Sequence, residues 1–256
     1  MDEPRVDVWT VPLDGSPATV VALSRMLSGR EAERAGRCRF EADRRRFVVA
    51  HGALRRILAG YLDVPPEELG LERGRHGKPR LADGADLRFN LSHCGELALV
   101  AVSRHAEVGV DVDRLRPGVP VEAFAERFFP ASDARFVAAA AGPTERGERF
   151  LRLWTRKEAV VKAAGARLTQ GLGLPVFPDT DTITVTDTDT VADVVRDPSG
   201  QIRGVWSVCD LPVPDGCLAA LAVAGAAAPR ISVRHGHLGS AWVRSPEYGV
   251  NSVRER

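Results

Sequence analysis

The alternation of apolar and polar positions divides the first part of the chain into one strand and two helices. Residues 5–12 (RVDVWTVP) alternate with a period of two, which is typical of a strand with one buried face. A helical period then predicts a first helix over 18–26. A second helix is predicted to begin at Ser28 and to continue through the arginine cluster at 44–46.

Three short segments rich in valine and leucine come next and predict strands. Their connections of about four residues favour an antiparallel meander, because a parallel crossover needs about a dozen residues. The three predicted strands cover residues 87–92, 97–103 and 108–113.

The second part of the chain repeats the mixture of helices and strands. Helices are predicted at 120–128, 131–141 and 145–164, and strands at 182–186, 191–195, 204–209 and 217–223. The order of elements therefore indicates an α+β fold of two similar α/β halves, each with a small antiparallel sheet packed with helices. We expect the N-terminal half to cover residues 1–113 and the C-terminal half 114–225. The sequence leaves open whether the extension 226–256 is a flexible tail or a docked segment.

Composition and charge exclude several classes of protein. The chain is 44% hydrophobic and 27% charged, as in an ordinary soluble domain. Its formal net charge of +1 provides no global field for nucleic acid or an anionic membrane. No apolar run reaches the roughly 18 residues of a membrane span, and the acidic start is unlike a signal peptide. The four cysteines lack C-x-x-C spacing. We therefore expect a cytoplasmic protein with reduced thiols.

Two acids close the strand predicted at 108–113. Asp111 and Asp113 are two positions apart in the sequence GVDVD, so both carboxylates share one face of the strand. Carboxylates placed side by side repel each other unless a cation lies between them or one keeps its proton. Taken alone, the pair is better explained as a strand that runs out into an acidic turn.

The longest predicted helix carries an acid and a base on one face. Trp154, Glu158 and Lys162 are spaced four apart. A solvated ion pair is the ordinary interpretation of such spacing. However, only three of the 35 basic residues are lysines, and Lys157 and Lys162 both lie here. An acid and a lysine beside a further acid pair have the composition of a Mg²⁺–pyrophosphate site.

A third stretch offers donors for phosphate oxygens. FNLSH ends in Ser92 and His93, and it is preceded by Gly77-Lys78-Pro79. A hydrolase built on Ser92 and His93 would lack a G-x-S-x-G elbow and would leave the acid–lysine helix unexplained. A nucleoside triphosphate phosphotransferase would be expected to carry a G-x-x-x-x-G-K-[ST] loop, which the sequence does not contain.

In their order and spacing, these stretches resemble the three signature motifs of Sfp-type 4′-phosphopantetheinyl transferases. The motifs are GKP with FNLSH, then GVDVD, then W-x-x-K-E-A-x-x-K. The resemblance implies two α+β halves about a pseudo-twofold axis, with coenzyme A bound between them. It implies transfer of 4′-phosphopantetheine from coenzyme A to a serine of an apo carrier protein, with release of 3′,5′-ADP. The alternative is a catalytically inert module that binds coenzyme A or a carrier protein, but no motif acid or lysine is missing here.

The resemblance also assigns roles to individual residues. Glu158 would be both a metal ligand and the general base, acting directly or through a metal-bound water. Lys162 would contact the pyrophosphate and stabilise the leaving group. The Mg²⁺ ligands would be Asp111, Asp113 and Glu158, and the coenzyme A contacts would be Arg46 (with Arg44 or Arg45 as alternatives), Lys78, Ser92, His93 and Lys162.

The expected partner is an acyl or peptidyl carrier protein, of the kind used in polyketide and nonribosomal peptide biosynthesis. Phe128 and Phe129 could contribute to an apolar docking surface or could instead be buried in the core. We expect a monomer that binds neither nucleic acid nor membranes. Cys94 stands where many relatives have serine. Asp113 stands where glutamate is frequent, and its shorter reach could place a water between it and the metal.

Overall fold

The computed structural model describes residues 3–82, 84–177 and 191–236, and within this part the chain forms two compact units. One unit contains the start of the chain to Thr10 together with Gly70–His235, and the other contains Val11–Leu69. The boundaries of these compact units differ from those of the halves predicted at 1–113 and 114–225. The division into those two halves stays a prediction.

The Val11–Leu69 unit is built from three helices. They are α1 (Pro17–Ser24), α2 (Gly29–Gly36) and α3 (Glu41–Leu62). Helix α2 begins at a capping box, in which the Ser28 hydroxyl accepts from the N–H of Glu31 and the Glu31 carboxylate accepts from the N–H of Ser28. The prediction of one continuous helix from Ser28 was wrong, because the backbone of Phe40 is extended (φ −109°, ψ 139°) and separates α2 from α3.

The first sheet of the larger unit has the order β10-β1-β5-β4. Its strands are β1 (Arg5–Pro12), β4 (Arg88–Cys94), β5 (Leu97–Ser103) and β10 (Arg230–His235). Strands β4 and β5 form an antiparallel hairpin, whereas β10 pairs with β1 in parallel. Part of the C-terminal extension is thus a docked strand, while residues 237–256 lie outside the described residues.

The second sheet is antiparallel throughout and has the order β6-β9-β8-β7. Its strands are β6 (Val108–Asp113), β7 (Asp193–Arg196), β8 (Val205–Leu211) and β9 (Leu218–Ala224). The predicted three-strand meander was therefore wrong in its third strand, since β6 pairs with β9 and leaves the sheet of β4 and β5. The strand predicted at 182–186 lies outside the described residues. A two-stranded antiparallel hairpin, β2 (Leu71–Arg73) and β3 (Pro79–Leu81), precedes β4.

Four helices complete the larger unit, and the longest of them covers the second sheet. They are α4 (Val121–Phe128), α5 (Ala131–Ala138), α6 (Pro143–Ala164) and α7 (Leu168–Gly171). Phe150, Leu151 and Val161 of α6 are buried. The helix ends at Gly165, whose φ of 61° suits a residue without a Cβ.

The fold class predicted from the sequence, α+β with helices packed on antiparallel sheets, is confirmed, with the parallel β1–β10 pair as an addition. None of the helices in the described part of the chain combines the length and the low polarity that a membrane span requires.

Candidate active site

The acid pair lies on β6, directly against helix α6. Asp111 is buried and Asp113 is half-buried, and Gly109 precedes them on the same face of the strand. A Cβ at Gly109 would overlap the carbonyl oxygen of Ala159 and would lie 2.9 Å from the Cα of Ala163. The glycine thus permits a strand-to-helix approach that no larger residue allows, and this approach brings the acids of β6 to the polar face of α6.

Helix α6 presents a lysine and a glutamate to the acid pair. The Lys162 ammonium lies 2.5 Å from Oδ1 of Asp111. Burial raises the pKa of Glu158, the carboxylates of Asp111 and Asp113 raise it further, and Lys162 opposes the shift. Three carboxylates and one ammonium, which the sequence placed in two motifs 45 or more positions apart, therefore share one electrostatic environment.

Ser92 on β4 connects the two motifs. Its hydroxyl donates to Oδ1 of Asp111 at 2.8 Å. It accepts from the backbone N–H of Val112 at 3.3 Å and from Lys162 at 3.0 Å. The side chain is buried. Ser92 is thus joined to the acid pair and to the lysine at the same time.

The neighbouring positions on the same face of β4 repeat this arrangement. The amide oxygen of Asn90 accepts from the N–H of Val110 at 2.9 Å. The Cys94 sulfur lies 3.6 Å from Oδ1 of Asp113, and burial and this carboxylate raise the pKa of the Cys94 thiol to about 11. Side chains of β4 therefore accept hydrogen bonds from backbone N–H groups on the outer edge of β6. For this reason β6 can follow β4 and β5 closely in sequence without joining their sheet.

The donor set fits a hard divalent cation, although the carboxylates are not gathered around one point. Within residues 3–82, 84–177 and 191–236, no three His, Cys, Asp or Glu side chains stand close enough together to ligate one ion. The Asp111 carboxylate instead faces Lys162 and Ser92. Carboxylate oxygens are the ligands that Mg²⁺ prefers, and burial together with the charges of Asp111 and Asp113 raises the pKa of Glu158. The residues therefore suit the metal, and Lys162 neutralises part of their charge.

Lys78, which was expected to contact the nucleotide end of coenzyme A, makes several hydrogen bonds within the protein. Its ammonium donates to Glu107 at 2.6 Å, to the carbonyl of Ala163 at 2.7 Å and to the carbonyl of Val108 at 3.2 Å. Burial lowers the pKa of Lys78, and Glu107 opposes this effect. All three donors of the ammonium are used, so Lys78 ties the segment before β3 to β6 and α6.

A cavity of about 960 Å³ lies beside Lys78. Its wall combines backbone at Gly165 with basic, amide and aromatic side chains. Among the lining residues are Lys78, Arg88, Gln201, Arg203 and Trp206. The volume is that of a typical small-molecule site, and the lining suits an anionic ligand with an aromatic ring.

The remaining predicted contacts are not brought to the acid pair by any described interaction. His93 follows Ser92 on β4, is exposed, and points to the opposite face of the strand because side chains alternate. Arg46 belongs to α3 in the Val11–Leu69 unit and lies 3.1 Å from Asp43. Its role stays a prediction.

Lys157, the third lysine of the motifs, is held inside the protein by buried partners. It is fully buried, donates to Asp133 at 2.7 Å and to the carbonyl of Leu174, and lies 4.5 Å from the ring centroid of Phe129. Phe129 is itself buried and stacks on Phe150, whereas Phe128 is 41% exposed. Of the two phenylalanines considered for docking, only Phe128 is exposed enough to contact a partner protein.

Sequence reasoning missed the supporting residues of the site. Asn90 lies two positions before Ser92, so alternation along β4 could have placed both on the face that meets β6. Asp133 lies 24 positions from Lys157 along the chain, and no local pattern indicated this pair.

Two family models match the chain and together cover most of it. Residues 14–105 match the N-terminal family described as "4'-phosphopantetheinyl transferase, N-terminal". Residues 107–222 match the "4'-phosphopantetheinyl transferase superfamily". The second match contains the acid pair of β6 and the whole of α6.

Individual relatives show the same similarity. The chain is 36% identical over 226 residues to the 4′-phosphopantetheinyl transferase HetI of Nostoc sp., which covers 86% of this chain and 88% of that protein. It is 34% identical over 164 residues to the 4′-phosphopantetheinyl transferase psf-1 of Bacillus pumilus, covering 63% of this chain and 68% of that protein. It is 28% identical over 155 residues to a 4′-phosphopantetheinyl transferase of Bacillus subtilis, covering 59% and 66%. With these matches and the site geometry together, the chain belongs to the two-domain, Sfp/HetI-type family of 4′-phosphopantetheinyl transferases and has the activity of that family.

Proposed function

We propose that the acid pair of β6 and the polar face of α6 catalyse attack of a carrier-protein serine on the β-phosphate of coenzyme A. The new bond joins the serine oxygen to the phosphorus of the phosphopantetheine arm, and the bond to the α-phosphate oxygen breaks. The serine proton goes to a base, and 3′,5′-ADP leaves with the electron pair of the broken bond.

The observation that supports this proposal is the meeting of Lys162 with Asp111 at 2.5 Å, beside Glu158 and Ser92. Phosphoryl transfer needs little covalent chemistry from a protein, and most catalysis comes from positioning and from charge stabilisation. A lysine that pairs with Asp111 and influences Glu158 would face a pyrophosphate once a cation balances the acids.

Asp111, Asp113 and Glu158 would hold Mg²⁺, which supplies charge neutralisation for the pyrophosphate when bound. Lys162 binds the pyrophosphate through its ammonium and stabilises the charge that develops on the leaving oxygen. Glu158 accepts the proton of the attacking serine, and its raised pKa brings its basicity closer to neutral pH, where a general base works best.

The nucleotide end of coenzyme A is proposed to bind at the cavity beside Lys78. Arg203 and Arg88, which pairs with Glu107, carry positive charge in its wall, and Trp206 contributes an aromatic side chain. His93 is kept as a contact of the 3′-phosphate, and the role of Arg46, with Arg44 or Arg45 as alternatives, stays a separate prediction. Lys78 donates to Glu107 and to the carbonyl of Ala163, and a direct contact with phosphate would have to compete with these acceptors. Lys78 would therefore support this site indirectly, by holding its wall in place.

The proposed macromolecular partner is an apo acyl or peptidyl carrier protein, and the proposed working form is a cytoplasmic monomer. Phe128 on the end of α4 is the exposed aromatic residue proposed for docking, with Phe124 packed beneath it at 4.8 Å between ring centroids. Aromatic residues with one exposed face are frequent anchors of protein interfaces.

The test is the intact mass of a purified apo carrier protein after incubation with this protein, coenzyme A and Mg²⁺. We expect a gain of one phosphopantetheine, about 340 Da by its formula, which disappears with EDTA and in the Glu158→Gln variant. A full gain in the presence of EDTA would remove the metal from the proposal. A full gain in Glu158→Gln would remove the assigned base.

A further inference from the structure

Ser92 has no hydrogen-bonding capacity left for a substrate phosphate. A hydroxyl offers one donor and two acceptor sites. The donor of Ser92 is used by Asp111 at 2.8 Å, and the acceptor sites are used by the N–H of Val112 at 3.3 Å and by Lys162 at 3.0 Å. The side chain is 7% exposed, so additional partners have little access to it.

The orientation of β4 separates Ser92 from His93. Successive side chains of a strand point to opposite faces. Asn90, Ser92 and Cys94 all contact β6, at Val110, Asp111 and Asp113 respectively. His93 points away from this face and is exposed. The two adjacent residues are therefore suited to different tasks, although the sequence motif presents them as one pair of phosphate contacts.

We propose that Ser92 is a positioning residue that aims Asp111 and Lys162 at the reaction centre and does not bind the 3′-phosphate of coenzyme A. It fixes one oxygen of Asp111 and holds the Lys162 ammonium against the same oxygen. The hydrogen bond from the buried Val112 N–H fixes the serine in turn. This inference rests on the proposed function of Asp111 and Lys162 and adds the residue that orients them.

The test compares Ser92→Ala with wild type in three binding measurements. Mn²⁺ binding, followed through the signal of the free ion in electron paramagnetic resonance, reports the metal site without turnover. Dissociation constants for coenzyme A and 3′-dephospho-coenzyme A, measured by calorimetry, report whether the 3′-phosphate is affected. Substitution of a residue that orients metal ligands typically lowers metal affinity by about 10–100-fold. We therefore expect Ser92→Ala to lose about tenfold in Mn²⁺ affinity. The ratio of the two coenzyme A affinities should stay that of the wild type.

Loss of affinity for coenzyme A alone, with Mn²⁺ affinity and dephospho-coenzyme A affinity unchanged, would make Ser92 a phosphate ligand and overturn the proposal. No change in any of the three measurements would also overturn it. His93→Ala is the matched control, because its exposed side chain on the other face should reduce the preference for coenzyme A over the dephospho form and leave Mn²⁺ binding intact. If His93→Ala leaves that preference unchanged, the assignment of the nucleotide end fails, while the Ser92 result still stands.

Circular dichroism and thermal unfolding are the controls that check whether each variant is folded. If Ser92→Ala does not fold, Ser92→Cys keeps a weaker donor of similar shape in the same place. It should reduce Mn²⁺ affinity at an unchanged ratio of the two coenzyme A affinities. An altered ratio in that variant counts against the proposal just as it does for alanine.

Discussion

The Lys162 ammonium lies 2.5 Å from Oδ1 of Asp111, so a residue of α6 and a residue of β6 form an ion pair across 51 positions of sequence. Lys162 is about a quarter exposed and Asp111 is buried. The lysine thus pairs with a buried carboxylate while its own side chain keeps contact with solvent.

Replacing Lys162 with methionine should separate catalysis from metal binding. Methionine keeps much of the apolar stem but removes the charge that stabilises the leaving group, so turnover should fall by about 10²–10³-fold. Mn²⁺ affinity should be kept or increased, because a cation that competes for Asp111 is gone. Steady-state transfer to a carrier protein and Mn²⁺ titration measure the two effects. Wild-type turnover in Lys162→Met would contradict the assigned role.

Gly109 should be the least replaceable glycine of the site. A Cβ there would overlap the backbone of Ala159 and Ala163, which cannot move away as a flexible side chain could. Gly109→Ala should therefore destabilise the protein by about 3 kcal/mol or more, as overpacking against rigid structure does. Denaturant unfolding checks this.

Gly60→Ala is the matched control for that substitution. Gly60 lies within α3, and a Cβ there would meet nothing within 4 Å. The same chemical change should stabilise the protein by about 0.5–1 kcal/mol through helix propensity. Equal losses at the two positions would show that the close approach of β6 and α6 does not determine the cost.

The helices and strands followed largely from the sequence, because their apolar periods match the faces that the fold buries. The two errors have specific causes. The predicted continuity of α2 and α3 fails at the extended backbone of Phe40, which no side-chain pattern marks. The meander fails because β6 obtains its edge contacts from the side chains of Asn90 and Ser92 instead of from a backbone ladder.

The acids and the lysine of the candidate site were predicted from the sequence, but the contacts that hold the site in place were not. Asp111, Asp113, Glu158 and Lys162 were recognisable because they lie in stretches that resemble the family's motifs, and their spacing agrees with a shared face on a strand or a helix. The bonds that saturate Ser92 and Lys78 come from residues distant in sequence, such as Asp111 and Ala163. Their contacts depend on tertiary structure, so the two residues looked like free donors in the sequence.

Glu31 should make stability depend on pH in the acid range. Burial tends to raise its pKa, but hydrogen bonds with His51, Ser28 and Arg55 outweigh burial and lower it from 4.5 to about 2. A carboxylate whose folded-state pKa is lowered contributes stability above its unfolded pKa and loses it as the pH falls through the folded pKa. The contribution should be complete above about pH 4.5 and lost towards pH 2.

Glu31→Gln should therefore cost at most about 3 kcal/mol at neutral pH, the equivalent of the pKa shift. The difference in unfolding free energy between the variant and wild type should shrink between about pH 4.5 and pH 2. Urea unfolding over that range measures it. A difference that does not change with pH would show that packing around Arg55, and not the carboxylate charge, accounts for the loss.

Phe128 and Phe129 should separate docking from folding, because adjacent positions at the end of α4 place one ring outside and one inside. Phe128 is 41% exposed, whereas Phe129 is 7% exposed, stacks on Phe150 and covers Lys157. Phe129→Ala should cost about 3–5 kcal/mol of unfolding free energy, as removal of a buried ring does. Phe128→Ala should leave stability nearly unchanged and raise KM for the carrier protein by about tenfold, the loss of one interface anchor. Transfer kinetics with varied carrier at saturating coenzyme A measure this effect, and KM for coenzyme A should stay constant. An unchanged KM for the carrier in a folded Phe128→Ala variant would place the docking surface elsewhere.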